Sequence, residues 1–512
     1  MSFRTEISAG ESRSGRILLF LACLICCLRP AVGADWPQWR GPDRNGVAPD
    51  SPPLADAWPS TGPTLVWQNA KLMHGGGDTG HGSPVVAGGR VYLYGNWMDA
   101  KSEGGADDAV ACLNASTGVV VWKSVFPAAG PAGVRSQSST PCVRDGRLYV
   151  AGQKRVYCLD ATTGKLIWQQ AIDAPGDGVS CSLAVVDGIA IMISKGFYGF
   201  DALTGQVRWR RAEKSGNWNK DGAWGAYTSP VCWRHDGKNY VICSCKSVEL
   251  MDPSTGQAVW KIPWVEGGWS SWNGNSSPAI VGDLMVINQK AGGLEGYSLS
   301  LESPTKLWHI PDHDVATSPL IYEGNVYTIG GGDYGKTTSI RCANLQQGTV
   351  AWEQALKPQG CSSPLAADGK IFGFAQFGKV LGMWKADPKS YVLLASAPVN
   401  ADGYSSLAFV DGRLYLRMQD GISCYDLPHR SLPVSPEKRA ELAALALASE
   451  EKAAARGDMV DEYRMGQRYR DGDGVTKDPV KSREWFAKAA AQGYKQAQTQ
   501  LDLIDNAPVP GR

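Results

Sequence analysis

The sequence predicts an all-β eight-bladed propeller, followed by a small C-terminal α-helical repeat segment. Three observations support the propeller: a strand opening that recurs eight times, an Asp-Gly turn after many of these openings, and a tryptophan near the end of most units. The openings lie 41 to 57 residues apart, which suits a four-stranded blade. They begin at Ser83, Thr140, Ser182, Ser229, Ser277, Ser318, Ser363 and Ser406.

Each unit contains two turns that favour hairpins. The first is an Asp-Gly pair between two apolar runs, a strong hairpin signal because both of its residues tolerate positive φ. It occurs at Asp145-Gly146, Asp187-Gly188, Asp368-Gly369 and Asp411-Gly412. The second turn ends in Thr-Gly and occurs at Thr117-Gly118, Thr163-Gly164, Thr204-Gly205 and Thr255-Gly256. The alternation of strands and turns predicts one antiparallel sheet in each unit.

A tryptophan follows each Thr-Gly turn by four residues. The series is Trp122, Trp168, Trp209 and Trp260, and it continues with Trp308 and Trp352 in units whose turn differs. A large flat apolar side chain can fill the wedge between neighbouring blades, which Val or Leu could not span. We therefore expect these tryptophans to lie between blades rather than to stack on a cofactor.

The two ends of the repeat array predict a closed ring. The eighth unit stops after its third strand, at residues 423–427, and an unpaired strand at 64–67 precedes the first opening. An N-terminal strand that completes the last blade would remove both exposed edges. We therefore predict that the propeller spans residues 64–427.

The N-terminus is typical of an exported protein. Arg13 and Arg16 precede the apolar run 17–28, and small residues end at Ala34. This arrangement predicts a signal peptide over residues 1–34. The apolar run is too short to span a bilayer, so we expect no transmembrane anchor. Residues 35–63 are expected to form an irregular segment that packs on the propeller.

Charge and cysteine usage limit the function classes. Lys and Arg total 51 against 50 Asp and Glu, so there is no basic field that would favour nucleic acid. Four of the 13 cysteines occupy one repeat position, where Gly or Leu stands in other units. We expect buried free thiols at these sites, because a small apolar side chain suits them all. They are Cys112, Cys158, Cys342 and Cys424.

The best-formed repeat covers residues 157–168 and reads Tyr-Cys-Leu-Asp-Ala-Thr-Thr-Gly-Lys-Leu-Ile-Trp. It resembles the repeat of pyrroloquinoline-quinone (PQQ) dehydrogenases and of BamB-like outer-membrane assembly lipoproteins. The resemblance covers residues 64–427. It implies an eight-bladed propeller and a periplasmic location, with an association with the outer membrane in the BamB-like branch. The repeat motif is structural, so it does not imply the quinone.

A second resemblance follows the linker at residues 428–436. Residues 437–506 contain Met465-Gly466, Gly472-Asp473-Gly474-Val475 and Trp485-Phe486-Ala487, a pattern that resembles a Sel-type repeat, a relative of the tetratricopeptide fold. Single solenoid repeats bury too little surface to be stable alone. The usual role of such repeats is protein–protein contact, which implies a protein partner in the cell envelope.

The loops that enter the first strand of each blade are expected to gather at one mouth of the channel. The first loop offers His74, Asp78 and His81, two imidazoles and a carboxylate at spacings that a metal could use. The alternative is a glycine-rich loop whose polar side chains cap backbone groups. The sequence leaves the metal unassigned.

Two further entrances are rich in aromatic residues. Such clusters can stack a planar ring or a sugar, or bury a partner's side chain; the alternative is loops that pack on one another. The aromatic residues are Trp218, Trp224, Tyr227, Trp264, Trp269 and Trp272. Together with the first loop, they form our set of ligand- or partner-binding candidates.

Several enzyme signals are missing from the sequence. It contains no Cys-x-x-Cys-His haem site and no nucleophile-elbow, zincin or phosphate-loop pattern. Quinoprotein dehydrogenases carry an adjacent Cys-Cys disulfide, where the predicted mature chain has only Cys243-Ser244-Cys245. We therefore predict a non-catalytic periplasmic binding or assembly scaffold, with no catalytic residue and no cofactor assigned. The alternatives are a PQQ- and calcium-dependent alcohol or sugar dehydrogenase, and a carbohydrate-binding propeller.

Overall fold

The structure is a computed structural model. It describes residues 35–73, 80–97, 107–127, 138–174, 179–212, 227–244, 247–263, 276–289, 293–311, 317–330, 338–357, 362–430, 444, 447–448 and 450–505. The chain separates into two compact units, Met1–Arg430 and Ser431–Arg512. The first unit is the propeller and the second is helical.

The described residues form eight antiparallel sheets, one for each predicted blade. Two strands precede the first complete blade, β1 (Val47–Ala48) and β2 (Thr64–Asn69). Blade 1 comprises β3 (Val85–Ala87), β4 (Arg90–Trp97), β5 (Asp107–Asn114) and β6 (Val120–Phe126). Blade 2 comprises β7 (Cys142–Arg144), β8 (Arg147–Ala151), β9 (Arg155–Asp160) and β10 (Leu166–Ala171). Blade 3 comprises β11 (Ala184–Val186), β12 (Ile189–Ile193), β13 (Gly196–Asp201) and β14 (Val207–Ala212).

The next three blades repeat the same meander. Blade 4 comprises β15 (Val231–His235), β16 (Lys238–Ser244), β17 (Ser247–Met251) and β18 (Ala258–Pro263). Blade 5 comprises β19 (Ala279–Val281), β20 (Leu284–Gln289), β21 (Gly293–Ser298) and β22 (Thr305–Ile310). Blade 6 comprises β23 (Leu320–Tyr322), β24 (Asn325–Gly330), β25 (Thr338–Asn344) and β26 (Val350–Leu356).

Blades 7 and 8 incorporate strands from the N-terminal part of the chain. Blade 7 comprises β27 (Leu365–Ala367), β28 (Lys370–Ala375), β29 (Val380–Lys385) and β30 (Leu393–Pro398), and β1 pairs in parallel with β27 as a fifth strand. Blade 8 comprises β31 (Ala408–Val410), β32 (Arg413–Arg417) and β33 (Ile422–Asp426). Strand β2 pairs antiparallel with β33, which confirms the predicted closing strand.

The predicted tryptophan positions between blades are confirmed. The Trp122 indole donates to Ala161 O at 3.2 Å, and Trp168 donates to Ala202 O at 3.1 Å. The indoles also lie against the glycine of the next blade's turn, where a Cβ on Gly164 would approach Trp122 to 2.5 Å. Each indole thus joins the outer strand of one blade to the next blade.

A closed circle of hydrogen bonds lines the channel at the strand openings. In every blade, the opening Ser or Thr hydroxyl accepts a hydrogen bond from the backbone N–H of the opening residue in the preceding blade. The N···O distances run from 2.8 to 3.2 Å. The last step, Ser406 N to Ser83 Oγ at 2.9 Å, joins blade 8 to blade 1. The Ser or Thr that opens each repeat in the sequence therefore also connects neighbouring blades. We call these eight side chains the hydroxyl ring.

Residues 35–63 consist mostly of turns and coil, and the segment enters the channel and pairs with its wall at a few points. Trp36 bridges Val86 with backbone hydrogen bonds of 2.7 and 2.8 Å, and β1 then extends blade 7. Between these points, the side chains of Arg40 and Arg44 reach carbonyl oxygens at the strand openings. The protein's own chain therefore occupies the channel.

The four repeat-position cysteines are buried free thiols, as predicted. Each has no exposed surface and contributes to the core between strands. Burial raises the pKa of the Cys158 and Cys424 thiols to about 12 and that of Cys342 to about 11. These thiols are therefore unreactive at neutral pH, since the thiolate is the nucleophile.

The described residues of the C-terminal unit include helical residues at 450–454 and the helices α1 (Met459–Asp471), α2 (Pro479–Ala491) and α3 (Lys495–Asp505). Asp458 and Asp478 cap the first two helices by accepting backbone N–H bonds. Phe486 is fully buried in the small apolar core that the helices share. Within the described part of the chain, no helix is long and apolar enough to cross a membrane.

Candidate functional site

The two ends of the propeller channel differ in the connections they carry. The Asp-Gly and Thr-Gly turns lie at one end, which we call the turn face. The connections that lead into the first strand of each blade lie at the other end, which we call the loop face. The N-terminal segment contacts the turn face, because Trp36 and β1 pair with the turn-side ends of β3 and β27.

A histidine–aspartate pair lies on the loop face where blade 8 meets blade 1. His81 Nδ1 is 2.8 Å from Asp402 Oδ2, and the two side chains are 18% and 9% exposed. His81 precedes β3, whereas Asp402 lies between β30 and β31. They meet because β2 closes the ring and makes the first and last blades neighbours.

Three further contacts hold Asp402 in place. Its Oδ1 accepts from Tyr404 N at 3.1 Å, and its backbone N–H donates to Arg417 O at 2.8 Å. The Arg417 Nε lies 3.9 Å from Asp402 Oδ2, and Arg417 Nη1 donates to Gly82 O and Tyr94 O at 2.8 and 2.7 Å. The carboxylate is thus oriented toward the imidazole by residues of both terminal blades.

This geometry orients the imidazole and favours one tautomer of its neutral form. A carboxylate beside Nδ1 favours the tautomer that carries its proton there, and Nε2 then bears the lone pair in the neutral ring. The Tyr404 ring lies against His81 with centroids 4.5 Å apart. The result is an oriented imidazole beside an aromatic ring, a combination suited to contacting a ligand or a partner's side chain.

A second polar cluster lies between blades 1 and 2. Buried Asp108 accepts from Tyr94 Oη at 2.6 Å and from Tyr157 Oη at 3.0 Å. Burial, followed by the negative charge of Asp108, holds the pKa of Tyr94 well above its usual range. Both hydroxyls therefore donate to the carboxylate, and the cluster joins blades 1 and 2.

Two arginines occupy the channel at the level of the hydroxyl ring. Both are 2% exposed. Arg40 Nη2 donates to Asn45 O at 2.9 Å and to Pro319 O at 2.7 Å. Arg44 donates to the carbonyl oxygens of blades 3 and 4, including Leu183 O at 2.5 Å and Pro230 O at 2.8 Å. Burial lowers the pKa of Arg40 to about 9.

Of the nine predicted binding residues, the structure describes His81 and Tyr227. The other seven lie outside the described residues: His74, Asp78, Trp218, Trp224, Trp264, Trp269 and Trp272. Tyr227 is half-buried before β15, three blades away from His81, so the structure does not bring these two residues together. Within the described ranges, no group of three or more His, Cys, Asp or Glu residues could hold a metal ion.

The structure adds residues that the sequence analysis missed. Asp402 and Tyr404 lie in the connection into the last blade and Arg417 lies in its strand β32, and ring closure alone brings them to His81. The predicted closure was the signal that could have found them, because it makes the entrances of blades 1 and 8 adjacent. Arg40 and Arg44 lie in the segment expected only to pack on the ring, and their sequence carries no periodic signal.

Family models match two parts of the chain. Residues 106–263 match the model described as outer membrane protein assembly factor BamB, and residues 462–494 match the Sel1 repeat. The first match lies within the propeller and the second within the helical unit. No curated protein matches the chain.

Similar solved structures include two quinohemoprotein alcohol dehydrogenases and a BamB protein. A quinohemoprotein alcohol dehydrogenase from Pseudomonas putida HK5 is 14% identical, with 92% of this chain and 97% of that chain covered and a TM-score of 0.55. One from Comamonas testosteroni is 15% identical, with 76% and 80% covered and a TM-score of 0.55. BamB from Moraxella catarrhalis is 16% identical, with 63% and 93% covered and a TM-score of 0.49. At these identities the likeness establishes the fold alone.

Proposed function

We propose that this protein, a propeller of the quinoprotein-like repeat type followed in the sequence by a Sel1 repeat, is a non-catalytic binding or assembly scaffold of the cell envelope. Its contact surface is the loop face, and the Sel1 unit offers a second surface for a protein partner. The proposed location is the periplasm, in association with the outer membrane.

One observation carries this proposal: the protein's own N-terminal segment enters the channel and contacts its wall. Trp36 and β1 pair with the channel wall at the turn face, and Arg40 and Arg44 reach the strand openings. The opening hydroxyls join neighbouring blades. We therefore assign the binding of a ligand or partner to one face of the propeller rather than to its channel. We choose the loop face, because His81 and Tyr404 offer an imidazole and an aromatic ring there.

Asp402 and Asp108, two carboxylates of the loop face, do not fit the alternative calcium site. Calcium takes six to eight oxygen ligands, carboxylates prominent among them. Asp402 instead holds His81 and the Tyr404 amide, and Asp108 holds two tyrosine hydroxyls. Protein donors already use both carboxylates, so we derive no PQQ-dependent step from them.

Site-specific photocrosslinking in the native cell envelope tests the proposal. A photoreactive phenylalanine analogue replaces Tyr404 on the loop face, and a control variant carries it at Leu203, a turn position of blade 3 that is more exposed than Tyr404, 60% against 36%. We expect a discrete crosslinked protein from position 404 and none from position 203. Equal crosslinking from both positions, or none from position 404, would contradict the proposed contact surface.

A second experiment separates the scaffold from the two alternatives. The purified protein is titrated with PQQ and calcium while tryptophan fluorescence is followed, and dye reduction with simple alcohols is then measured. Saturable quenching together with alcohol-dependent dye reduction would make the protein an oxidoreductase. Retention on immobilised polysaccharide would instead favour the carbohydrate-binding alternative. The scaffold proposal expects neither result.

A further inference from the structure

The arginine pair in the channel leads to an inference beyond the proposed scaffold. We propose that Arg40, Arg44 and the hydroxyl ring form a binding site for one small anion, either an inorganic oxyanion or a carboxylate. The site lies inside the propeller at the level of the strand openings. It is distinct from the loop-face surface around His81.

The first argument is an uncompensated buried charge. Both guanidinium groups are 2% exposed, and their hydrogen-bond acceptors are backbone carbonyl oxygens, which carry no formal charge. Among the described residues, neither arginine has an Asp or Glu within ion-pair distance. A buried charge without a counter-charge is strongly destabilising, whereas a bound anion would supply the counter-charge.

The second argument is unused hydrogen-bonding capacity on the guanidinium groups. Nε and Nη1 of Arg40 and Nε of Arg44 are buried without an acceptor in the part of the chain that the structure describes. Buried donors are normally satisfied by the protein, by water or by a ligand. An oxyanion or a carboxylate offers several acceptor lone pairs, and its hydrogen bonds to a cation are among the strongest in proteins.

The hydroxyl ring adds neutral donors at the same level. A hydroxyl that accepts an N–H bond still has a hydrogen to donate. Each ring hydroxyl accepts from the neighbouring blade, and no acceptor for its own hydrogen is found among the described residues. Arg44 contacts Ser182 O at 3.2 Å, so the guanidinium lies beside a member of this ring. A wall rich in donors and positive charge favours an anion over a cation or an apolar ligand.

The backbone that carries the arginines is also unusual. Arg40 and Arg44 have φ values of 61° and 57°, a region that bulky L-residues rarely adopt. Gly46 N donates to Arg40 O at 2.9 Å, and Arg44 N donates to Gly41 O at 3.2 Å, which holds the turn in this conformation. Such strained positions cluster at ligand clamps. Here the strain places both side chains at the strand openings.

Isothermal titration of the purified full-length protein tests the proposal. Inorganic phosphate, sulfate and acetate are titrated separately at constant ionic strength. The first two probe an oxyanion and the third a carboxylate. We expect saturable 1:1 binding of at least one of them, and at least a tenfold weaker affinity in Arg40→Gln and in Arg44→Gln. Arg208→Gln, a change at an exposed outer-strand arginine, is the matched control and should bind as the wild type does.

Two outcomes would overturn the proposal. One is the absence of saturable binding of all three anions to the wild type. The other is undiminished binding in both channel variants, which would place the anion elsewhere. If the variants fail to fold, wild-type crystals soaked in bromide decide the question. An anomalous peak beside the guanidinium of Arg40 or Arg44 is expected, and peaks confined to the outer surface would contradict the site.

Discussion

The two ends of the channel are built from different kinds of interaction. At the turn face, the N-terminal segment attaches mainly through backbone pairing and buried apolar groups, with Trp36 against Val86 and β1 beside β27, and Asp368 adds one charged cluster. At the loop face, the contacts join side chains, such as His81 with Asp402 and Tyr94 with Asp108. Backbone pairing and apolar burial mainly stabilise a fold, whereas oriented polar side chains provide recognition. The comparison therefore separates a structural end from a functional end.

The largest expected effect is at the turn face. Trp36→Ala removes a fully buried indole that contacts the backbone at Gly41, and we expect a loss of about 3–5 kcal/mol in the free energy of unfolding. Urea unfolding followed by circular dichroism measures it. Trp39→Ala in the same segment is the matched control, and it should lose less than half as much because Trp39 is only half-buried. Equal losses would show that the segment is not anchored by Trp36.

A smaller effect is expected at Asp368, also at the turn face. Its carboxylate accepts from Leu54 N at 2.7 Å, from Lys370 Nζ at 3.0 Å and from Arg430 Nη2 at 2.9 Å. Partial burial raises the pKa of Asp368, but these three donors outweigh it, so the pKa lies below its usual range. The carboxylate therefore stabilises the folded state above the unfolded pKa of about 4, and this contribution is lost as the pH falls through the folded value.

Asp368→Asn should consequently cost about 1–2 kcal/mol in the free energy of unfolding at pH 7. The difference from the wild type should shrink as the pH falls toward 3. Urea unfolding at a series of pH values provides the measurement. Asp145→Asn, in the equivalent exposed turn of blade 2, should match the wild type at every pH. A difference for Asp368→Asn that does not change with pH would contradict the assigned role of its charge.

The smallest effect on stability is expected at the loop face. His81→Ala should cost about 1 kcal/mol in the free energy of unfolding, because Asp402 keeps the Tyr404 amide and lies 3.9 Å from Arg417. It should nevertheless reduce the crosslinking yield from position 404. Urea unfolding measures the stability loss, and the crosslinking yield of the same preparation measures the effect at position 404. A stability loss as large as that of Trp36→Ala would erase the distinction between the two ends.

Much of the fold could be predicted because its signals are local and repeated. The Asp-Gly turns, the Trp122 and Trp168 positions and the eight openings each depend on a few neighbouring residues. Repetition then makes each signal visible several times along the chain. The closing strand was also predictable, since a blade with three strands leaves an edge that an unpaired strand elsewhere can fill.

The candidate site was harder to predict because its residues come from distant parts of the chain. His81 was selected for its neighbours in the loop, His74 and Asp78, whereas its described partner is Asp402, 321 residues away. A spacing pattern within one loop carries no information about such a partner. Only the closure of the ring, which makes the first and last blades neighbours, could have indicated that His81 and Asp402 meet.

The sequence by itself determined the number of blades, the positions of the turns and the interblade tryptophans, because local propensity and a repeated pattern specify them. The tertiary structure alone decided which residues enter the channel and which residue faces His81. The ring brings Ser406 to Ser83 and Asp402 to His81, and it surrounds Arg40 and Arg44 with carbonyl oxygens from several blades. These contacts depend on closure over hundreds of residues, which no local pattern in the chain records.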